Sequence, residues 1–284
     1  MSRYIVAVDG SGAAQSAVRW IADVTDPSTD TVRLVTVAEL LGDLPSTAEA
    51  RLLEARSLLL RRHPTLEVTT DLVGGGTVHG IVLEGTAGDV LVLGGRQRHR
   101  FIGALRGRVA ERVVAEARTP VMVVPEERVD EVGPVVVGVD GQSGVAALAY
   151  AAAFAARWRR ELVLVRAWQS PSTTTPFGNV YFEGDLSSWE HAADLQVEAA
   201  MHAVDAAHPD VPVLGRARRG SPGRVLLREA ASASAVVVGR RHRSSLTGLI
   251  AGSVGETLMH EAHVPVLIVP PNAVLPAALD RPTH

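Results

Sequence analysis

The 284-residue chain is one unit written twice. Tyr4-Ile-Val-Ala-Val-Asp9-Gly10 returns as Val135-Val-Val-Gly-Val-Asp140-Gly141. Arg33-Leu-Val-Thr-Val37 returns as Leu162-Val-Leu-Val-Arg-Ala167, and Asp89-Val-Leu-Val-Leu-Gly94 as Ala235-Val-Val-Val-Gly239. Thr119-Pro120-Val-Met-Val-Val-Pro125 returns as Val264-Pro265-Val-Leu-Ile-Val-Pro270. Matches spread over both halves mark a duplication and not a chance local likeness. Each half, at about 140 residues, has the size of an ordinary domain. The join falls near Glu126–Gly133, a charged stretch that closes with Gly133-Pro134, so the expected units are residues 1–130 and 131–284.

Within each unit the short Val/Leu/Ile runs are continuous rather than alternating, which suits strands covered on both faces. Helical patterns lie between them at 12–25, 46–62, 77–87 and 107–117, then at 143–159, 187–207, 222–233 and 252–262. Strand and helix in alternation predict a parallel sheet with right-handed crossovers. The expected fold class is α/β, as two tandem doubly wound domains with a five-stranded parallel sheet each. Such folds take ligands outside the carboxyl ends of the strands, at the topological switch point. An insertion in the second half, Ser170–Asp185, is rich in Thr, Pro and Gly and holds Phe177, Tyr181 and Phe182. It follows a strand end and so lies on the ligand side, as a disordered connector or as a lid or partner-binding loop. The tail from Pro271 to His284 is expected to be loose.

Composition removes several function classes. There is no cysteine, hence no disulfide, thiolate nucleophile or Cys-based zinc site, in keeping with a reducing compartment. There is no lysine either, since all 28 basic residues are arginine. A Walker A lysine, a Schiff-base lysine and a lysine general base are therefore excluded. Any phosphate must be held by backbone, hydroxyls or arginine. Net charge is −3, so no overall field draws the chain to nucleic acid or anionic lipid. No apolar run reaches the ~18–20 residues that cross a bilayer, and no signal peptide is evident, so the expected location is the cytoplasm.

Three features converge at the predicted strand ends. The first is the acid after strand one, Asp9-Gly10-Ser11 and Asp140-Gly141-Gln142-Ser143. An Asp there caps the following helix, or contacts a ribose hydroxyl or a phosphate-bridging metal ion. The second is the loop after strand four, Gly239-Arg-Arg-His242, then nine residues, then Gly252-Ser253. Backbone N–H groups and the dipole of a helix starting near Gly252 favour an anion, and glycines allow close approach. Ser253-Val-Gly-Glu256 is also a capping box, a role that coexists with phosphate contact. The third is the end of strand two, where Val37 and Ala167 either bed a flat base or belong to the core.

The spacing Gly, two residues, Gly, nine residues, Gly-Ser/Thr resembles the ATP-binding motif of the universal stress protein family. The strand ending Val-Asp-Gly and the closing Pro-Val-x-Val-Val strand strengthen the likeness, which covers about residues 3–125 and 134–270. The resemblance implies an ATP site lined by Asp140, Gly141, Ala167, Gly239, Gly252, Ser253 and Val254, with magnesium carried in by the nucleotide. It also implies pairing of Val121–Val124 with Val266–Val269 as an internal pseudo-dimer. A further homodimer and a regulatory protein partner are usual for tandem members, and the role is usually regulatory, with little or no catalysis. The corresponding first-half residues are Asp9, Gly10, Val37, Gly94 and Gly107.

Both halves depart from the motif. His242 replaces the middle glycine in the second half; its backbone N–H remains available and its ring either touches a phosphate or crowds it. In the first half Gln97 replaces the middle glycine and Arg108 the Ser/Thr, so a hydroxyl donor is lost and a cation stands at the phosphate position. The second site is expected to be the better kept. Arg96, Arg98, Arg100 and Arg106 in the first half, and Arg240, Arg241 and Arg243 in the second, are either a solvated loop surface or extra contacts to phosphate or an acidic partner. The expected protein is an ATP-binding stress regulator and not an enzyme, although weak ATP hydrolysis stays open. The alternative is a scaffold whose sites have decayed. Nucleic acid is disfavoured by charge and by only 4% aromatic residues. The histidines near the sites (His99, His242, His260 and His263) form no ligand constellation by spacing, so no metal site is expected.

Overall fold

The computed structural model describes residues 2–38, 45–95, 109–128, 132–140, 144–169, 172–175, 178–181, 186–240 and 253–280, with only the backbone for 172–181 and Ser253. The first half runs β1 (Ser2–Ala7), α1 (Gly12–Val24), β2 (Asp30–Ala38), α2 (Pro45–Arg62), β3 (Glu67–Gly74), α3 (Thr77–Gly85), β4 (Val90–Gly95), α4 (Val109–Glu116) and β5 (Val121–Pro125). The second runs β6 (Val135–Gly138), α5 (Gly144–Trp158), β7 (Leu162–Trp168), a hairpin of β8 (Ser172–Thr175) and β9 (Gly178–Tyr181), α6 (Ser187–Ala207), β10 (Val213–Arg219), α7 (Pro222–Ala230), β11 (Ala235–Gly239), α8 (Ser253–Glu261) and β12 (Val266–Val269). The expected helices appear within a few residues of their predicted bounds. The connector after β7 differs from a structureless one, because β8 and β9 pair as an antiparallel ribbon apart from the main sheet.

All ten remaining strands form one sheet in the order β10-β7-β6-β11-β12-β5-β4-β1-β2-β3. Pairing is parallel inside each half and antiparallel only at the seam, where Val266 faces Val123, Leu267 faces Met122 and Ile268 faces Val121. The implied pairing of the last strands is thus present. The all-apolar β4, β5, β6 and β12 lie at or near the middle, buried on both faces. The more polar β3 and β10 take the outer edges, where Thr69, Thr70 and Arg216 to Arg219 reach water and discourage edge pairing.

Helices α1, α2, α5 and α6 cover one face, and α3, α4, α7 and α8 the other. Each face has a core that runs across the seam. On the first face Trp158 of α5 stacks on Phe154 and meets Trp20 of α1 edge-on, at centroid separations of 4.8 and 6.0 Å. The alanines of α5, with Ala147, Ala151 and Ala155 fully buried, let that helix lie close to the strands.

The tail is not loose up to Asp280. Leu279 is fully buried in the first-face core, with Ala273 and Leu275 packed beside it. The Tyr150 hydroxyl donates to the Val274 carbonyl at 3.0 Å, and His208 lies 3.3 Å from Asp280. Tyr150→Phe removes one hydrogen bond and no core volume. It is expected to lower stability by about 1 kcal/mol in urea unfolding; no change would show that the tail is held by its apolar packing and the His208–Asp280 contact without this bond.

Candidate functional site

In each half the first and fourth strands are neighbours, β1 beside β4 and β6 beside β11. The helices that follow them go to opposite faces of the sheet. A crevice must open outside the carboxyl ends of such a pair. The antiparallel seam turns the two crevices to opposite sides, so the carboxyl edge of each half adjoins the amino edge of the other.

In the first half, Asp9 and Gly94 leave adjacent strands at this crevice. The Asp9 carboxylate accepts from the Ser11 N–H at 2.9 Å, and the Ser11 hydroxyl oxygen accepts from the Ala14 N–H at 3.2 Å. Ser11 is therefore the N-cap of α1, with extended φ and ψ of −72° and 160°. Gly10 turns the chain at φ 77°, a conformation that favours glycine. Two charged side chains stand over this turn. A methyl group at Gly10 would fall 2.8 Å from the Arg51 Nε, and one at Gly12 would fall 2.2 Å from the Glu126 Oε1. Glu126 thus sets a carboxylate against the first turn of α1, where an anion is favoured. Neither Arg51 nor Glu126 is marked by a motif in the sequence, since both reach the turn only through the fold.

Gly94 abuts the backbone of α1: a methyl there would lie 2.3 Å from the Ala13 carbonyl carbon. Its lack of a side chain is already required by helix packing. Val37 is half-buried and lies under Gly80 of α3, where a methyl would meet its Cγ2 at 3.1 Å, so its surroundings are core. Gly107, Arg108 and Gln97 lie outside the described residues.

In the second half, Asp140 and Gly239 likewise leave adjacent strands. The Asp140 Oδ1 would lie 3.6 Å from a methyl at Gly144, which places the carboxylate beside the start of α5. The residue after the closing proline, Glu126 in the first half, is Pro271 here, and it brings no carboxylate. Ser253 opens α8, and Val254 packs half-buried beside the second-face core. Gly141, His242 and Gly252 lie outside the described residues.

Ala167, at the end of β7, is buried in the second-face core and also lines an open cleft of about 340 Å³. Trp168, Gln169, Trp189, Gln196 and Pro222 are among its other walls. Arg166 Nε donates to Gln196 Oε1 at 2.5 Å and ties β7 to α6. The Arg219 guanidinium sits 5.9 Å from the Trp168 ring centroid, and Trp189 is about half exposed. Two indoles at one strand end offer flat apolar surface to a planar group. Their one sequence signal was Trp168 beside Ala167 in a chain poor in aromatics.

A family profile described as the universal stress protein family matches residues 1–125 and 131–270. The chain belongs to the universal stress protein family. Universal stress protein Rv2005c of Mycobacterium tuberculosis is 31% identical over 289 aligned residues, covering 93% of this chain and 95% of the relative. Universal stress protein Rv2623 of the same species is 29% identical, with 93% and 95% covered. A crystal structure of a universal stress protein from Archaeoglobus fulgidus shares the fold at TM-score 0.71 and 18% identity, covering 95% of this chain and 98% of that one. The tandem arrangement of this universal stress protein therefore extends through whole relatives.

One arginine of the second-half loop does not serve as a loop-surface or phosphate contact. Arg240 is buried and turns its guanidinium to the carboxyl end of α4, in the first half. Burial lowers its pKa from the ordinary arginine value. Nearby, His260 of α8 lies 3.3 Å from Glu111 of α4, so α4 and α8, the last helix of each half, are in contact. His263 lies beyond the end of α8. No described helix is long and apolar enough to cross a membrane.

Proposed function

We propose that the protein binds an adenine nucleotide, ATP with magnesium, at the carboxyl edge of its second half and acts in the cytoplasm as a regulator without chemistry of its own. The observation that carries this reading is the contrast between the halves. In the first, Glu126 sets a carboxylate against the first turn of α1, where it repels an anionic ligand, and the Arg51 side chain fills the space over Gly10. In the second, Pro271 stands at the place of Glu126. The Gly239 to Ser253 segment there leads into α8, whose first N–H groups lack helical partners. The cleft at Ala167 and Trp168 offers a flat bed for a base at the same edge.

The decayed-scaffold reading gains from Arg51 and Glu126, and it fits the first half. Hydrolysis needs a base at the phosphates, and Asp140 is the best-placed carboxylate for that role, so its replacement tests binding and turnover together. Protein purified and heat-denatured is expected to release adenine nucleotide at about one per chain by mass spectrometry. Asp140→Ala is expected to weaken Mg-ATP binding about tenfold in calorimetry, or about 1.4 kcal/mol, with hydrolysis at the buffer background in both proteins. An empty protein that gives no heat with Mg-ATP would sink the nucleotide reading. Hydrolysis that Asp140→Ala abolishes would sink the non-enzymatic one.

A further inference from the structure

Helix α4 ends between the two halves. Its last carbonyls have no partner within the helix, and its dipole makes that end negative. The Arg240 guanidinium supplies the missing donor from the other half. Its Nη1 donates to the carbonyls of Val114, Ala115 and Ala117, the last two at 3.1 and 2.7 Å. The Arg240 backbone N–H donates to Val269 O at 2.7 Å, which extends the β11–β12 pairing by one step. Arg240 is thus fixed at both ends. Its main chain belongs to the second half at the mouth of the phosphate loop, and its side chain belongs to the first.

The arrangement has no counterpart across the pseudo-twofold. The residue equivalent to Arg240 is Gly95, where a methyl would fall 2.5 Å from Val123 Cγ1. The first-half loop therefore starts without such an anchor. Helix α4 itself begins directly after the first-half Gly107-Arg108, and its eight residues span about 12 Å. A rigid rod of that length joins the start of one half's helix to the mouth of the other half's loop. Glu111 of α4, close to His260 of α8, gives the rod a second contact with the second half.

We infer that Arg240 is a positioning residue: through it the carboxyl end of α4 sets the geometry at which β11 delivers the second-half nucleotide loop. The first half thereby acts as the effector of the second site, whether or not it holds a nucleotide itself. Coupling of this kind is reciprocal, so a ligand held in the second half also steadies α4. The anchoring part stands on the contacts above. The effect on nucleotide affinity rests on the reading given under Proposed function.

Hydrogen–deuterium exchange on the full chain separates the two parts. In ligand-free Arg240→Ala, amides 113–117 and amides 235–240 are both expected to exchange about tenfold faster or more. Arg240→Lys, whose ammonium is shorter by one bond but still a donor, should restore part of the protection. Unchanged exchange at both ends overturns the inference. Faster exchange confined to α4 also overturns it, because Arg240 would then be only a helix cap. Should Arg240→Ala lose its cooperative melt, Arg240→Gln, which keeps one amide donor, is read in its place. In calorimetry with Mg-ATP, the alanine variant is expected to bind about tenfold more weakly, and equal affinity would overturn the effector role. A parent protein that binds no Mg-ATP overturns the nucleotide proposal, and the anchor is then decided by exchange alone.

Discussion

Arg157→Ala is expected to lose about 3–5 kcal/mol of stability, the range for removing one partner of a buried ion pair. Arg157 Nη2 lies 2.5 Å from Asp30 Oδ2, and the two side chains are 3% and 0% exposed. The pair joins the end of α5 in the second half to the start of β2 in the first, beside the Trp20–Trp158 contact. Burial pushes the Asp30 carboxyl above its ordinary pKa, while the Asp26 N–H and the Arg157 guanidinium pull it down. Removing Arg157 leaves burial opposed by the amide and pushes the folded-state pKa higher still. A carboxyl raised in the folded state contributes its stability below the unfolded pKa of ~3.9 and loses it as pH rises through the folded value. The deficit of Arg157→Ala relative to the parent should therefore be smaller at pH 4 than at pH 8, in urea unfolding at the two pH values. The double variant Arg157→Met/Asp30→Leu removes both charges and should recover most of the loss. If it is as unstable as the single variant, the deficit comes from packing and the charge argument fails.

The helices and the central strands were legible because both express a local period. Val135 to Val137 and Val266 to Val269 read as strands buried on both faces, and they are. Their repetition in the first half turned a set of local patterns into a fold. The pieces that were not legible depend on distant contacts. Arg240 stands among other arginines and reads as a solvated surface or as a contact to phosphate or an acidic partner, yet its acceptors lie more than 120 residues earlier. Arg157 and Asp30 are 127 residues apart. Leu275 and Leu279 are the two leucines in a short stretch of prolines and alanines, too few for a periodic signal, although the fold gives Leu279 a fully buried seat. The β8–β9 ribbon is made of four-residue strands inside a Thr- and Pro-rich stretch, below the length at which alternation can be recognised. At the candidate sites the motif positions were readable, whereas their occupation by Arg51 and Glu126 was not. A motif states which backbone approaches are open and is silent on which of the chain's own side chains fill them.

Gly94 shows how a motif residue can be kept for another reason. Gly94→Ala is expected to destabilise at the top of the ~1–3 kcal/mol range for overpacked sites, or beyond it. The added methyl would lie 2.3 Å from the Ala13 carbonyl carbon and 2.5 Å from both the Ala13 oxygen and the Ala14 nitrogen. All three are backbone atoms, so no rotamer change relieves the overlap. Helix α1 has little room to withdraw, since Ala13, Ala14, Ala17 and Trp20 are all buried. At Gly10, by contrast, the atoms in the way belong to the flexible end of Arg51, and the strain there comes from the positive φ. Retention of Gly94 is then explained by the α1–β4 contact alone, and it is no sign that the first half holds a nucleotide. Urea unfolding and nucleotide stoichiometry on the same variant separate the two roles. Lower stability with about one nucleotide per chain still bound assigns Gly94 to packing. Parental stability with a lost nucleotide would return it to the phosphate site and make the first half the working one.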